Sequence, residues 1–555
     1  MTFTVVRYSG CSPLLQKSYY DKVKMIYIDP PYNTGNEFIY PDNFREGLQD
    51  YLRYSGQVDG DGLRMSTNTE SEGRYHSNWL NMMYPRLFLA RNLLRDDGVI
   101  FVSIDDHEAH NLRLLMNEVF GEENFFGTLV RRAMHTVRNS SKDFNLNADY
   151  VLTYGRNKGW FAESPTRDIR KEVDKTSSYP RDDNDGRGRY KLDPISARNF
   201  YTPYQFRFSN GVVWSAPDGS YPRYSQDTLR QYEMEGGIVF DGKEPRAKRY
   251  LREVQAGQPP DQILAPDDVG FNADGTREIR ELFGGGGIFS QPKPSTLVSY
   301  LLSLLNSPDA IVLDFFAGSG TTAHAVMQLN AYDGGSRRFI LVQLPERIDP
   351  DDIEQKVAID LCNSLDRPHV ISEITKERVR RAGHAIAKER SSKLDLYGNE
   401  LLDLGFRTYK LTTSNFTPWD GDPTRFDAPP RQPGLFPTTI AEQLALAVDN
   451  VLPGRTSEDI LAELLLKSGF ELTASVERLT LTGTEVYSVA EGALLVCLER
   501  ELTLDVIEAM VARDPAQIIC LDAGFHGNDQ LKVNAVQTIK TGSGSGDGKI
   551  EFKVV

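Results

Sequence analysis

The segment with the clearest potential for chemistry is a short corner made of Asp29, Pro30, Pro31 and Tyr32. It follows the apolar residues 25–28, which predict a short buried strand. Because a proline cannot donate to a sheet ladder, the chain must leave the strand at Pro30, and Asp29 is restricted to an extended conformation. The corner therefore presents a carboxylate and an aromatic ring at the carboxyl end of a strand, where α/β sheets bind ligands.

This corner suits the task of holding the planar amino group of a nucleobase while that group attacks an electrophile. Asp29 and the carbonyl groups of the corner can accept the two amino hydrogens. The ring of Tyr32 offers a flat face for stacking a base taken out of its duplex, which contributes about 1–3 kcal/mol per stacked base. The alternative is a plain strand-ending turn in which Asp29 is a capping residue.

A second group of candidate residues follows the buried strand predicted over residues 310–314. A glycine turn and a predicted helix over residues 323–330 come directly after this strand. Glycines allow positive φ and a close approach of the backbone to a ligand, and the N–H groups at a helix start can receive a carboxylate. The candidate binding residues are Asp314, Phe316, Ala317, Gly318, Gly320, Thr321 and Thr322.

The ligand of this glycine turn is constrained by what the turn lacks. No Gly-Lys-Ser/Thr ending follows, so it is not a triphosphate-binding loop. A nucleoside that carries an amino-acid tail fits better than a nucleotide. Tight packing between a strand and a helix is the alternative explanation of the glycines.

The elements around the two sites alternate between strand and helix. Apolar spacing predicts a helix over residues 79–94 that ends with Gly98 as its C′ residue, then a strand over residues 99–104 and a helix over residues 107–120. Further predicted elements are a helix over residues 296–305, a strand over residues 338–344 and a helix over residues 371–388. Such alternation favours parallel strands joined by right-handed crossovers.

Length and composition bound the class of protein. A chain of 555 residues predicts two to four domains. No segment is long and apolar enough to span a membrane, and the first residues lack the pattern of a signal peptide. The cysteines are too few and too scattered for a disulfide framework or a metal site: Cys11, Cys362, Cys497 and Cys520. We therefore expect a cytoplasmic protein without a metal site.

Charge is distributed unevenly along the chain. The net charge of −15 argues against binding nucleic acid through a global basic field. Residues 156–255, however, contain 19 Lys and Arg against 15 Asp and Glu, together with 15 aromatic residues, a mixture that suits contact with phosphates and bases. An irregular β-rich insert with an aromatic core is the alternative. From residue 415 onward the chain is acidic, with prolines that predict a linker and strands that predict a separate α/β domain.

Together these stretches resemble the β-class amino-methyltransferases of DNA, and in finer detail the modification (Mod) subunit of Type III restriction-modification systems. The catalytic motif precedes the aromatic-basic insert, and the cofactor motif follows it. The sequences that carry the resemblance are Asp29-Pro30-Pro31-Tyr32-Asn33-Thr34-Gly35 and Asp314-Phe315-Phe316-Ala317-Gly318-Ser319-Gly320-Thr321-Thr322, with further matches over residues 97–106, 290–294, 339–346 and 522–525.

The resemblance implies an α/β fold: a Rossmann-like methyltransferase sheet with an inserted target-recognition region and a smaller C-terminal α/β domain. The expected divisions are a catalytic half over residues 1–155, a target-recognition insert over 156–287, a cofactor-binding half over 288–414 and a C-terminal domain over 415–555 that makes partner or dimer contacts.

Roles for individual residues also follow from the resemblance. The four corner residues would hold and stack the flipped base, and the glycine turn would cradle S-adenosylmethionine. Lys293 would lie near the carboxylate end of this cofactor. The position after the second cofactor strand is often an acid that binds the ribose hydroxyls; here it is Gln343, which can still accept one hydrogen bond.

The implied activity is methylation of the N6 amino group of adenine in double-stranded DNA, in a homodimer that works with a restriction (Res) helicase-nuclease. Cytosine-N4 methylation uses the same chemistry, and methylation of RNA stays open. A third alternative is a catalytically impaired subunit that only recognises DNA for a partner nuclease. It is favoured by Ser9-Gly10-Cys11, which stands where the family usually has a Gly-Asp turn.

Overall fold

The computed structural model describes residues 15–33, 74–135, 144–163, 169–171, 175–240, 242, 244–253, 257–352, 355–392, 402–417, 450–542 and 550–555. The expected Gly-Asp position near Ser9 and the proline-rich linker over residues 423–437 lie outside these ranges. Within them, contacts between Cα atoms divide the chain into two units. Unit 1 comprises residues 1–158, 263–299 and 307–555, and unit 2 comprises residues 159–262 and 300–306.

Strands and helices alternate along much of the chain. The strands are β1 (Val23–Ile28), β2 (Leu94–Ile104), β3 (Phe125–Arg132), β4 (Ala148–Gly155), β5 (Tyr190–Pro194), β6 (Ser196–Ala197), β7 (Gln205–Arg207), β8 (Val213–Ser215), β9 (Tyr221–Pro222), β10 (Ile238–Val239), β11 (Arg246–Tyr250), β12 (Ile263–Leu264), β13 (Ile311–Asp314), β14 (Arg338–Leu341), β15 (Val476–Leu481), β16 (Thr484–Val489), β17 (Leu494–Cys497), β18 (Gln517–Cys520) and β19 (Glu551–Val554). The helices are α1 (Arg74–Leu93), α2 (Ala109–Phe120), α3 (Lys158–Ala162), α4 (Gln226–Met234), α5 (Pro266–Val269), α6 (Asn272–Phe283), α7 (Ser295–Ser303), α8 (Thr321–Asp333), α9 (Lys356–Ser364), α10 (Ile371–Ser392), α11 (Ser457–Ser468), α12 (Leu504–Val511) and α13 (Asp529–Gly542).

The main sheet of unit 1 has seven strands in the order β12-β3-β4-β2-β1-β13-β14. Every residue of β1 is buried, as expected for a central parallel strand covered on both faces. It pairs in parallel with β2 on one side and with β13 on the other. The strand that follows β1 in sequence, β2, lies on one side of β1, whereas the strand that follows β13, β14, lies on the far side of β13. The strand order therefore reverses between β1 and β13. The crevice outside the carboxyl ends of two such strands is where open α/β sheets bind ligands.

Most predicted elements of this sheet are confirmed, with the strands and helices shifted by a few residues. The C′ assignment of Gly98 is wrong. Gly98 lies inside β2, which begins directly after α1 ends at Leu93. A Cβ on Gly98 would come within 2.8 Å of the Arg95 carbonyl oxygen, so glycine is required here by close packing of the strand. The helix predicted from residue 107 begins at Ala109, and the side chain of its N-cap residue, Glu108, does not cap it.

Unit 2 is built from short antiparallel pairs. Strands β10, β11 and β5 form one sheet, and β6 pairs with β9 and β7 with β8. A small cluster of aromatic and aliphatic side chains, including Phe206, Phe208 and Trp214, is buried in this unit, whereas 77% of Phe200 is exposed. Part of the aromatic content predicted for a ligand surface is therefore core. Residues 263–287, which we expected in the insert, belong to unit 1.

The C-terminal strands form a second sheet of unit 1 in the order β15-β16-β17-β18-β19. Its strands over residues 484–520 match those predicted. Side chains of α11 and of this sheet, such as Leu464 and Val496, share one hydrophobic cluster with Tyr19 and Val23 at the amino end of the main sheet. No helix of the described residues has the length and apolar character needed to cross a bilayer.

Candidate active site

The corner after β1 brings a carboxylate, a phenol and an ammonium group together. The hydroxyl of Tyr32 donates to Asp29 Oδ1 at 2.9 Å, and Lys293 Nζ donates to the same hydroxyl at 2.7 Å. Lys293 Nζ also lies 3.4 Å from Asp29 Oδ1 and 4.7 Å from the centre of the Tyr32 ring. The side chains of Asp29 and Tyr32 are therefore held in one arrangement by a residue 261 positions further along the chain.

The corner is also fixed from the side of α1 and α2. The indole Nε1 of Trp79 in α1 donates to the Pro31 carbonyl at 2.7 Å. Asn33 has a positive φ of 59°, and its amide donates at 2.5 Å to Glu108, which is fully buried. Prolines restrict the corner from within, and these two contacts restrict it from outside, so the Asp29 carboxylate has little freedom to move.

Lys293 reaches the corner because its backbone is packed tightly against α6. A Cβ on Gly275 of α6 would stand 2.1 Å from the Pro292 carbonyl oxygen and 2.8 Å from the Lys293 carbonyl carbon, so any larger residue would push this segment away. The Lys293 carbonyl accepts a hydrogen bond from the Thr321 hydroxyl at 3.1 Å. The backbone of Lys293 thus contacts the glycine turn, where we expected the residue, while its side chain extends to Asp29.

A second carboxylate balances the charge of Lys293. Asp149, the second residue of β4, accepts a hydrogen bond from Lys293 Nζ at its Oδ2 atom over 3.2 Å, and Arg131 Nη1 lies 3.5 Å from the same oxygen. Arg131 is fully buried and also donates to the Gly270 carbonyl. Since β4 runs antiparallel to β2, its first residues lie at the same edge of the sheet as the end of β1.

Burial controls the ionisation of the corner. It raises the pKa of Asp29, while the charge of Lys293 and the hydrogen bond from Tyr32 act in the opposite direction. About a quarter of the Asp29 side chain (28%) remains exposed, so the carboxylate is accessible to a ligand. Removing the ammonium would leave desolvation unopposed by a charge. Lys293 is thus the charged group that most favours the ionised form of Asp29.

The glycine turn after β13 is organised by Asp314. Its carboxylate accepts the Phe316 N–H at 3.0 Å and the Thr322 hydroxyl at 2.6 Å, which joins the end of the strand to the first turn of α8. Burial raises the pKa of Asp314 to about 7, and the charge of Asp29 adds to that rise. The two carboxylates therefore lie in one electrostatic environment at neighbouring strand ends.

Two positive φ angles determine the path of the backbone in this turn. Gly318 has φ of 50° and Gly320 has φ of 84°, values that favour glycine. Gln343 Oε1 accepts the Gly318 N–H at 2.7 Å, so this side chain supports the turn. The first N–H groups of α8 have no partner within the helix and can receive a carboxylate.

A buried ion pair lies beneath the glycine turn. Arg378 of α10 is fully buried; it donates to the Ser319 and Thr321 hydroxyls at 2.5 and 2.7 Å and to Glu278 at 3.0 Å. Burial lowers the pKa of Arg378 to about 10, against the charge of Glu278. Glu278 in turn accepts the Ser295 N–H at 3.0 Å. The pair fixes the turn from its buried side.

His324 in α8 gives this region a testable pH dependence. Burial lowers the pKa of His324 to about 3, and the charge of Arg378 adds to that effect, whereas a histidine in an unfolded chain titrates near 6.5. Below pH 6.5 the unfolded chain binds a proton that the folded chain does not, so stability is lost as the pH falls. In His324→Gln the loss of unfolding free energy between pH 6.5 and 4.5 should be smaller by about 2–3 kcal/mol, measured by urea denaturation. His369→Gln, at an exposed position, is the control, and equal slopes for the wild type and His324→Gln would contradict the expectation.

The structure thus brings the sequence-predicted residues together at one edge of the sheet. Asp29, Tyr32 and Lys293 form one group. The glycine turn forms the other group, with Asp314, Phe316, Ala317, Gly318, Gly320, Thr321, Thr322 and Gln343. Sequence reasoning missed Asp149, Glu278 and Arg378, because single charged residues in a strand or helix carry no pattern of their own. Among the described residues there is no group of three or more His, Cys, Asp or Glu side chains that could hold a metal ion.

Comparison with known proteins gives the family of this chain. A family model described as DNA methylase matches residues 23–348. The Mod subunit of the Type III restriction-modification enzyme StyLTI from Salmonella typhimurium is 36% identical over 414 residues, which are 72% of this chain and 58% of that protein. The chain thus spans less than two thirds of this relative.

For two further relatives, the alignment covers a larger share of the relative's own length. The Type II methyltransferase M.KpnI from Klebsiella pneumoniae is 31% identical over 359 residues, which are 59% of this chain and 77% of that protein. The Mod subunit of the Type III restriction-modification enzyme EcoP15I from Escherichia coli is 27% identical over 570 aligned positions, covering 93% of this chain and 80% of that protein. The alignment with M.KpnI covers about as many residues of this chain as the family model does.

Proposed function

Since the chain belongs to the DNA methylase family, we propose that it transfers a methyl group from S-adenosylmethionine to the N6 amino group of adenine in double-stranded DNA. The observation that carries the proposal is the corner of Asp29, Tyr32 and Lys293 beside a glycine turn, at the sheet position where α/β proteins bind ligands. The corner can hold an amino group, and the glycine turn can hold a nucleoside with an amino-acid tail.

Asp29 accepts a hydrogen of the amino group, which increases electron density on the nitrogen, and the Tyr32 ring stacks the base after it leaves the duplex. S-adenosylmethionine supplies a methyl group that is electrophilic because it is bonded to a positively charged sulfur. Transfer would leave this cofactor as a neutral thioether, and the proton that the methylated nitrogen loses would pass to the Asp29 carboxylate that accepts its hydrogen bond. Pro30 and Pro31 contribute by fixing the corner, since they remove backbone freedom between Asp29 and Tyr32.

The glycine turn fits S-adenosylmethionine in its donor set. Gly318 and Gly320 allow the backbone to approach the ligand, and the N–H groups at the start of α8 can receive its carboxylate. The proposed binding residues are Asp314, Phe316, Ala317, Gly318, Gly320, Thr321, Thr322, Lys293 and Gln343. We assign Gln343 a supporting role through Gly318, and Lys293 a place between the two groups.

The proposal is tested on the purified chain by calorimetric titration with S-adenosylmethionine, followed by transfer of tritiated methyl groups to mixed-sequence plasmid DNA. Digestion to nucleosides identifies the product, and label in N6-methyladenine is the expected result. Label in N4-methylcytosine would instead assign the cytosine activity. An RNA pool of matched composition serves as the control substrate. Binding of the cofactor without transfer to either nucleic acid would overturn the proposed activity.

We assign the choice of DNA sequence to unit 2. Replacing residues 159–262 by the aligned segment of a relative with a different recognition sequence should change which sites are methylated. The affinity for S-adenosylmethionine should change by less than about threefold, because the glycine turn lies in unit 1. Sequencing that detects N6-methyladenine reports the sites. Exchange of residues 450–555 is the matched control, and an unmoved recognition site in the first chimera would contradict this role.

The names of the relatives indicate which protein partners this chain could have. Two of them are Mod subunits of Type III restriction-modification enzymes, so we propose that this chain also associates with a restriction (Res) subunit and forms a homodimer. Analytical ultracentrifugation of the purified chain tests the homodimer, and co-purification with a tagged Res subunit tests the second partner.

A further inference from the structure

The single ammonium group of Lys293 contacts two carboxylates. Its Nζ lies 3.2 Å from Asp149 Oδ2 and 3.4 Å from Asp29 Oδ1, and the side chain is only 8% exposed. The third contact is the Tyr32 hydroxyl at 2.7 Å. An ammonium group that is nearly removed from water must take its hydrogen-bond acceptors from the protein, and these three oxygens provide them.

Asp149 is held in place independently of this ammonium group. Arg131 is fully buried at the end of β3, and its Nη1 lies 3.5 Å from Asp149 Oδ2. The same guanidinium donates to the Gly270 carbonyl at 3.0 Å and to the Asn272 side chain at 2.8 Å. Asp149 is therefore a fixed acceptor, and the single ammonium group of Lys293 contacts both this acceptor and Asp29.

The contact of the Lys293 ammonium with both carboxylates matters because Asp29 can accept the amino hydrogens only if one of its oxygens is available to the base. An ammonium group fully paired with Asp29 would compete with the amino group for the same carboxylate. With no ammonium nearby, burial would favour the protonated acid, which accepts hydrogen bonds poorly. The charged and titratable groups that act on Asp29 from the surrounding elements are Lys293, Tyr32, Asp149, Tyr27 and Asp314, and Arg131 faces Asp149.

We propose that Asp149 is a positioning residue that draws the Lys293 ammonium partly away from Asp29, so that the Asp29 carboxylate keeps an oxygen free to accept the amino hydrogens of the target base. This inference rests on the proposed function. Asp149 acts through Lys293 and does not touch the substrate.

The test is a double-mutant cycle of Asp149→Asn and Lys293→Met, with kcat, KM for DNA and the pH profile measured for each protein. Asp149→Asn leaves Lys293 with Asp29 as its single carboxylate partner. We expect kcat to fall about 30-fold while KM for DNA changes less than about threefold, since breaking one partner of a buried charge pair has effects of this size. In the Lys293→Met background, Asp149→Asn should change kcat by less than about twofold, because the group that it controls is absent.

The pH profile separates positioning from general damage to the fold. The charge of Asp149 raises the pKa of Asp29, so Asp149→Asn should move the acidic limb of kcat to lower pH although activity falls. A purely structural defect would lower kcat at every pH without moving the limb. Asp149→Glu keeps the charge and should recover at least about a third of the lost activity.

The matched control is Asp97→Asn. Asp97 also pairs with a buried lysine, at 2.9 Å from Lys24 Nζ, but at the opposite end of β1. This variant should lower stability without changing the pH profile. Equal effects of Asp149→Asn with and without Lys293 would overturn the inference and leave the proposed function standing. An inactive wild-type chain would overturn both.

Discussion

Replacing Asp29 with alanine is expected to lower the rate of methyl transfer by about three orders of magnitude or more. The carboxylate is the only group of the corner that can accept hydrogens from the amino group as a full negative charge, and interactions made with developing charge in the transition state contribute most to catalysis. The change leaves the stacking ring of Tyr32 and the glycine turn in place. Single-turnover transfer of labelled methyl groups to plasmid DNA measures the effect directly.

The binding steps are the internal control for this experiment. DNA affinity and S-adenosylmethionine affinity should each change by less than about threefold in Asp29→Ala, because the loss concerns the reacting atom alone. Thermal stability should change little, since the desolvation penalty of a buried carboxylate is removed, while Lys293 loses one of its two carboxylate partners and keeps Asp149. Asp29→Asn should behave similarly. Full activity in either variant would contradict the catalytic role of Asp29.

The two site segments could be predicted from the sequence because each is a local pattern. An apolar strand that ends in Asp29 and two prolines can only form a corner, and a buried strand that ends in Asp314 and two nearby glycines can only form a tight turn before a helix. The prolines and glycines restrict φ themselves, without help from distant residues. The structure places both segments at the ends of neighbouring strands β1 and β13.

What could not be predicted depends on contacts across long stretches of chain. Asp149 and Lys293 are separated by 144 residues, and nothing in the sequence around Asp149 distinguishes it from any other acid at the start of a strand. The error at Gly98 has a local cause. Glycine after a helix is a common C′ signal, but here the glycine lies inside β2, where a side chain would meet the carbonyl of Arg95, three residues earlier in the same strand.

Lys293 shows how a long-range contact changes the chemistry of a local motif. The sequence resemblance put this residue near the cofactor, and its backbone does contact the glycine turn through Thr321. Its ammonium group, however, donates a hydrogen bond to the Tyr32 hydroxyl and lies beside Asp29. The charge therefore acts on the group proposed to accept the amino hydrogens, so the consequences of removing it should appear in the pH dependence of the rate.

In Lys293→Met, kcat/KM for DNA at pH 7.5 is expected to fall about 100-fold, and the acidic limb of its pH profile is expected to move up by about one pH unit. Asp29 must be ionised to accept the amino hydrogens. The charge of Lys293 lowers the pKa of Asp29, so its loss raises that pKa, and activity is then lost at a higher pH as the solution is acidified. Methyl transfer measured from pH 5.5 to 9 gives both quantities.

Lys24→Met is the matched control, because Lys24 is the other buried lysine paired with an aspartate beside β1, at 2.9 Å from Asp97. It should reduce stability and leave the acidic limb where it is. Lys293→Arg, which keeps a positive charge, should shift the limb by less than Lys293→Met does. If the limb of Lys293→Met coincides with that of the wild type, Lys293 does not control the ionisation of Asp29, and its contribution would have to be sought in packing against the ring of Tyr32 instead.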